Sequence, residues 1–309
     1  MIRAAVVFLF ASACCTSLPD AAPKNHGARV HSPAPFGVDA EQHVWRDERR
    51  GRDVPVKIYM PREPGDPSQL RMTRRHAVIF SHGIGEDRDS YEYLGQALAE
   101  AGFVAVHITH AGTDRAMLER GYRHLYRATK ERINWVNRPL DVSFVIDQLP
   151  HVSRIAVAGH SAGAFTAFAV AGMRLAGGES FRDERVHAIV PMSMPRMDGI
   201  LAADGFANIG VPVLNMTGTC DTSLIYRTWP KHRRIPFQSS PGGPHYLITM
   251  EDVNHSTFSN RRDERHALIA ELTVLFVRAF LLDEPDARAW FNDPGRGTIG
   301  RTELTLERK

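Results

Sequence analysis

Cysteine is scarce in this chain, with three residues at positions 14, 15 and 220. Only Cys220 lies in the body of the sequence, so the cysteines provide neither a disulfide framework nor zinc-ligand spacing. Cys220 reads as a small buried residue at a strand end. Lysine is nearly absent, occurring at positions 24, 57, 130, 231 and 309. Arginine replaces it, but no dense arginine run is interleaved with aromatics. The formal net charge of +3 is too small to argue for nucleic acid or an anionic membrane surface. The apolar stretch Ala4 to Ala13 is too short to span a bilayer, and no internal repeat is visible. What remains is 309 residues, 43% hydrophobic and 24% charged. That is ordinary for a soluble globular protein and sufficient for one large α/β domain.

The first residues read as a separate unit. Met1-Ile2-Arg3 supplies a positive start, Ala4 to Ala13 an apolar stretch, and Ala11-Ser12-Ala13 the small residues of a cleavage site. Cys14 follows, as in a bacterial lipoprotein box, although the usual Leu three places before the cysteine is missing. Simple cleavage after Ala13 and lipid attachment at Cys14 both remain open. Residues 1–18 are therefore expected to be a signal peptide or lipoprotein signal. Residues 19–40, rich in Pro, Ala, Asn and Gly, are expected to be a linker. The expected catalytic domain covers 41–284, and a polar tail from 285 to 309 is expected to drape over the surface.

Within the domain, strand and helix signals alternate. His43-Val44-Trp45 and Val54 to Tyr59 flank a turn at Arg50-Gly51, which predicts an opening hairpin. Apolar runs follow at Ala77 to Phe80, Val104 to Ile108, Ile155 to Ala158, Ala188 to Met192, Val211 to Met216 and Tyr246 to Met250. Their length and β-branched content predict buried strands. Helices are expected at Ser90 to Ala101 behind Asp89, at Arg138 to Leu149 with Pro139 in the first turn, at Ala162 to Met173, and at Glu264 to Leu282 behind Asp263. This alternation implies a mostly parallel sheet of about eight strands covered by helices on both faces.

The most informative stretch is Ile155-Ala156-Val157-Ala158-Gly159-His160-Ser161-Ala162-Gly163, a strand, then G-x-S-x-G, then a helix. A serine on so tight a turn is strained, and side chains two residues away on either side would clash, hence Gly159 and Gly163. A serine hydroxyl needs a base to become a nucleophile. In this arrangement an acid should follow a later strand and a histidine should come after it. Asp221 follows the run ending at Met216, and His255 follows the run ending at Met250. Asp198 and Asp252 are weaker rivals for the acid. Two N–H donors must hold the developing oxyanion. Ala162 would supply one, and Ile84, in Ser81-His82-Gly83-Ile84-Gly85, the other. His82 is expected to bond backbone in that loop. His107 and His110 would face opposite sides of a strand, which disfavours a metal site, and His110 is placed at the pocket mouth.

These motifs resemble the α/β-hydrolase superfamily over Trp45 to Leu282. His82-Gly83-Ile84-Gly85 with Tyr91-Glu92-Tyr93-Leu94, Arg138-Pro139-Leu140-Asp141-Val142, and Gly159 to Gly163 resemble its dienelactone-hydrolase-like branch. That branch is similar to the platelet-activating-factor acetylhydrolase type and to bacterial polyester hydrolases. The resemblance implies an α/β-hydrolase fold and a carboxylic-ester hydrolase acting on a small-molecule ester, with no cofactor, no metal and no nucleic-acid partner. True dienelactone hydrolases use a cysteine nucleophile, whereas Ser161 stands here, so the branch name does not identify a substrate. Alternatives are an amidase or peptidase on the same triad, or a non-catalytic binding module that should have lost a triad member. Pro195 to Gly210 is the candidate for a short cap.

The leader predicts export, to the periplasm, to the membrane as a lipoprotein, or into the medium. The mature chain should begin at or next to Cys14, and N-terminal mass analysis of the native protein checks this. Recovery of an intact Met1 from fractionated cells would contradict both routes.

Overall fold

A computed structural model describes residues 23–24, 36–62, 75–259, 263–293, 295–299 and 302–309. The expected leader, and all of the expected linker except 23–24 and 36–40, lie outside the described residues.

Eleven strands among these residues form one sheet. They are β1 (Pro23–Lys24), β2 (Gly37–Asp47), β3 (Arg52–Arg62), β4 (Arg75–Ser81), β5 (Val104–Ile108), β6 (Val152–His160), β7 (Val186–Met192), β8 (Val213–Cys220), β9 (His245–Asn254), β10 (Gly295–Ile299) and β11 (Thr302–Arg308). The helices are α1 (Glu92–Glu100), α2 (Arg115–Glu119), α3 (Tyr122–Ala128), α4 (Arg132–Asp147), α5 (Ala162–Val170), α6 (Pro230–Arg233), α7 (Ile235–Ser239), α8 (His266–Leu281) and α9 (Pro285–Phe291). The spatial order is β1-β10-β11-β9-β8-β7-β6-β4-β5-β3-β2. The six strands from β5 to β9 in this order pair in parallel, while β3 and β2 at one side and β11 at the other pair antiparallel. Because the central strands run the same way, Ser81, His160, Cys220 and Asn254 end at one edge of the sheet.

Side chains alternate across a strand, so each central strand feeds two cores. Phe80, Leu214 and Ile248 pack with Leu94 of α1 and Leu272 and Phe276 of α8 on one face. Ile79, Val157 and Ile189 pack with Val142 of α4 and Phe165 and Phe168 of α5 on the other. Every residue of α5 is buried, which explains its run of small and apolar residues without amphipathic pattern.

The sheet is larger than the expected eight strands, chiefly because the C-terminal segment is not a draped tail. It contributes α9 and the hairpin β10–β11, and β11 pairs with β9 from Leu304 opposite Met250 to Arg308 opposite Tyr246. The segment is polar on average, yet Leu304 and Leu306 are 0% and 1% exposed and Phe291 is fully buried. Period-two alternation over so few residues hid the strand. Helix α4 begins six residues before the expected start, so Pro139 lies inside it rather than in its first turn. Helix α8 begins after Arg265, with Asp263 accepting the Arg265 N–H at 2.9 Å. Pro195 to Gly210 is not a free cap, since Met197, Phe206 and Ile209 are buried in the α5 core. Cys220 ends β8 half-buried and is disulfide-bonded, a pairing that residue counting did not suggest.

A tail that merely covered the surface would tolerate truncation of its side chains. Leu306→Ala is instead expected to lower stability by roughly 2–5 kcal/mol, the range for a buried Leu truncation, read from urea denaturation.

Candidate active site

The turn after β6 is the tightest feature of the domain. Ser161 has φ 55° and ψ −114°, a positive-φ conformation that a non-glycine residue adopts only under constraint. A Cβ on Gly163 would lie 1.8 Å from the Ser81 carbonyl oxygen, and one on Gly159 would lie 2.4 Å from the Gly163 backbone. Glycine at these two positions lets the β6–α5 turn sit directly on the end of β4. Ala162 opens α5 directly after Ser161, so its N–H has no acceptor within the helix.

Ser161, His255 and Asp221 meet at this edge. His255 Nε2 lies 3.1 Å from Ser161 Oγ, and His255 Nδ1 lies 3.0 Å from Asp221 Oδ1. His255 opens a short 3-10 turn (His255–Phe258) whose free N–H groups are taken by Asn254 Oδ1, at 2.9 Å from Ser256 N and 3.2 Å from Thr257 N. Asp221 is fully buried, and its Oδ2 accepts from the hydroxyls of Ser193 and of Thr217 (2.8 Å). The two rivals stand elsewhere. Asp198 is exposed and paired with Arg196 at 2.6 Å, and Asp252 sits in β9 at φ 54° with its N–H on Thr219 Oγ1.

Arg233 was not foreseen. Its guanidinium is fully buried behind the Asp–His pair, with Nη2 2.9 Å from Asp221 Oδ1 and 3.0 Å from His255 Nδ1. Nη1 donates to the carbonyls of Ser193 (2.7 Å) and Met194 (2.8 Å), and Nε to the Asp221 carbonyl (3.3 Å). A lone arginine in a four-residue helix 12 residues past the aspartate carries no sequence signature, and only packing reveals it. Burial alone would raise the Asp221 carboxyl, but Arg233, with His255 and Ser193, holds it far below the usual carboxylate range. Burial lowers His255, the Asp221 hydrogen bond raises it, and Arg233 lowers it again, leaving it below the ordinary imidazole value.

The loop after β4 is held by a second buried network. His82 Nδ1 donates to the Gly83 carbonyl, and its Nε2 accepts the His110 N–H at 2.9 Å. The expected backbone-bonding role therefore describes His82. His110 is completely buried rather than at a pocket mouth. Its Nδ1 lies 2.9 Å from Asp141 Oδ2 and its Nε2 2.9 Å from Ser81 Oγ. Burial lowers His110 to about 4, so it is neutral, donating to Asp141 and accepting from Ser81. Arg138 donates to Ser81 Oγ (3.2 Å), Thr113 Oγ1 (2.7 Å), Thr166 Oγ1 (3.0 Å) and the His82 carbonyl. Thus Arg138 ties the β4 loop to α5. His107 instead bonds the Ser90 carbonyl through Nδ1 at 3.1 Å. Gly83 N–H donates to Glu86 Oε2 (3.2 Å), which also takes the Tyr91 hydroxyl. That hydroxyl lies 2.7 Å from His160 Nδ1, and burial raises the Glu86 carboxyl to about 7. Ile84 lies in the same turn. No cluster of three or more metal-ligating residues occurs among the described residues.

The Arg233 charge opposes protonation of the ring it touches. His255 followed by NMR should titrate below the ordinary imidazole value of about 6.5. In Arg233→Gln the midpoint should move upward, because Asp221 is then free to stabilise the imidazolium. An unchanged midpoint would show that the guanidinium does not act on the ring.

Residues 49–182 match the chlorophyllase family model, under half of the chain. The matched stretch contains the loop from Ser81 to Gly85, Arg138 with Asp141, and Ser161, and it stops before Asp221 and His255. No curated protein matches the chain. The chain has the α/β-hydrolase fold and, over residues 49–182, is similar to the chlorophyllase family, a family of α/β-hydrolase-type ester hydrolases.

Proposed function

We propose that the chain is a serine esterase that cleaves carboxylic esters through an acyl-enzyme, with Ser161 as nucleophile, His255 as general base and acid, and Asp221 as the carboxylate that orients the imidazole. The observation that carries this reading is the continuous hydrogen-bonded line from Ser161 Oγ through His255 to Asp221, at 3.1 and 3.0 Å. Asp221 accepts from Nδ1–H, which leaves Nε2 with its lone pair towards the serine hydroxyl, the tautomer that general-base catalysis requires. The similarity to an ester-hydrolase family supports the choice of ester over amide.

In the first step His255 Nε2 takes the Ser161 proton as the oxygen attacks the ester carbonyl. The N–H groups of Ala162 and Ile84 hold the oxyanion, aided by the N-terminal dipole of α5. The tetrahedral intermediate collapses, and the imidazolium gives its proton to the departing alcohol. Water then attacks the acyl-enzyme with His255 again as base, releasing the acid and restoring the serine. Asp221 stays ionised throughout, held so by Arg233.

Ser161→Ala or His255→Ala should each lower kcat on a p-nitrophenyl ester by roughly 10⁴-fold or more, because members of such a unit fail together. A fluorophosphonate should add one adduct, mapping to Ser161. Retention of most activity in either variant, or an adduct elsewhere on an active preparation, would remove the assignment. Hydrolysis of p-nitroanilides at rates matching the esters would favour the amidase alternative.

A further inference from the structure

The two short helices between β5 and α4 were not expected from the sequence, and they adjoin the candidate oxyanion loop. The Gly85 N–H donates to the Thr113 carbonyl at 2.8 Å, and the Arg115 N–H to the Glu86 carbonyl at 3.1 Å. A Cβ on Gly85 would touch Leu125 and Leu118. Within α3, Leu125 and Ala128 turn inward. The outer surface carries Tyr122 and Tyr126, one turn apart and 50% and 44% exposed, beside exposed Arg123 and Arg127, also one turn apart. Leu118 before α3 and Ile133 after it are exposed as well.

Among the described residues, several cations on this segment lack the carboxylate partner that many arginines elsewhere have. Outside it, Arg46, Arg62, Arg154, Arg174 and Arg185 are each ion-paired with a carboxylate, as is Arg115 at the start of α2. Arg120, Arg123, Arg127 and Lys130 have no ion-pair partner among the described residues, and the Lys130 ammonium lies over the Tyr126 ring at 5.0 Å. The loop after Asp221 adds apolar tips, with Leu224 at 78% and Trp229 at 41% exposure. Tyr226 in that loop packs edge-on to Trp135 of α4 at 6.1 Å. Unpaired cations, tyrosines and protruding aliphatic groups together make the composition of a surface that meets a lipid headgroup layer. Cations supply attraction to anionic lipid, tyrosines settle at headgroup depth, and aliphatic tips enter the acyl boundary.

We propose that the α2–α3 segment, with the loop carrying Leu224 and Trp229, is a docking surface for an anionic phospholipid bilayer, one that presents the candidate active site to esters held in or on the lipid. The net charge of +3 did not indicate this, because many arginines elsewhere are paired with carboxylates, while Arg120, Arg123, Arg127 and Lys130 fall together on one short stretch. Single-stranded nucleic acid also attracts arginines and aromatics, but Leu118, Ile133 and Leu224 offer bases no stacking face, and an ester-cleaving site beside the patch has no use for a nucleic-acid strand.

The test is sedimentation of the full chain with phosphatidylcholine vesicles, with and without phosphatidylglycerol, at low and high salt. The wild type should partition to the phosphatidylglycerol vesicles, with binding reduced by salt. Arg123→Glu with Arg127→Glu should weaken that partitioning by about tenfold or more. Tyr122→Ser with Tyr126→Ser should remove the binding that survives high salt. Neither pair should alter hydrolysis of a soluble short-chain ester, nor the thermal midpoint, so lost docking is distinguishable from lost folding. The thermal midpoint and vesicle binding can be read even if the esterase assignment fails. Wild-type partitioning that ignores phosphatidylglycerol, equal binding by the charge-reversed pair, or binding of a single-stranded oligonucleotide in place of vesicles would each overturn the proposal.

Discussion

The backbone of Gly163 rests on the carbonyl of Ser81, and no side chain fits between them. That contact joins the turn that carries Ser161 to the loop that carries Ile84. If it opened, the two N–H groups proposed to hold the oxyanion would be carried apart, and distances of about 3 Å are what such stabilisation demands. The molecule invests several buried polar groups in keeping it closed. Arg138 spans Ser81, His82, Thr113 and Thr166, and Asp141 with His110 anchors Ser81 from below. Ser81, His110 and Asp141 repeat the hydrogen-bond pattern of the candidate triad in a sealed interior. Full burial denies them substrate and makes them a support.

Two buried arginines therefore flank the site, with different partners. Arg138 faces hydroxyls and a carbonyl, and burial lowers its guanidinium to about 10. Arg233 faces a carboxylate directly and shares Asp221 Oδ1 with His255. A buried carboxylate is tolerable only when its charge and lone pairs are answered. Asp221 meets that condition with Arg233, His255, Ser193 and Thr217. Burial and the same cation both disfavour a protonated His255, so the arrangement favours an ionised Asp221 and holds His255 below the ordinary imidazole value.

Much of this was legible in the chain. The strand-turn-helix around Gly159-His160-Ser161-Ala162-Gly163 carries its own explanation, since both glycines and the flanking periodicity are local requirements. The order Ser161, Asp221, His255 follows from each residue sitting just past an apolar strand run, and parallel strands bring such ends together. The central strands were visible because both faces are buried and their apolar runs are continuous. Weak local signals hid other elements. Helices α2 and α3 are 5 and 7 residues long, too short for a helical period to stand out, and β11 shows only two strongly buried leucines among polar neighbours. The early start of α4 was missed because Pro139 suggested a first turn.

The sequence by itself determined the fold class and the identity of the three candidate catalytic residues, because those depend on residue types at fixed short spacings and on the rule that parallel strands end on one edge. Tertiary structure alone decided that Arg233 lies against Asp221, that His110 is sealed between Ser81 and Asp141, and which arginines are left unpaired. Each of these depends on groups distant in the chain meeting at about 3 Å, or failing to meet. Electrostatic partnership is set by such distances and by burial, and neither is written in the order of the residues.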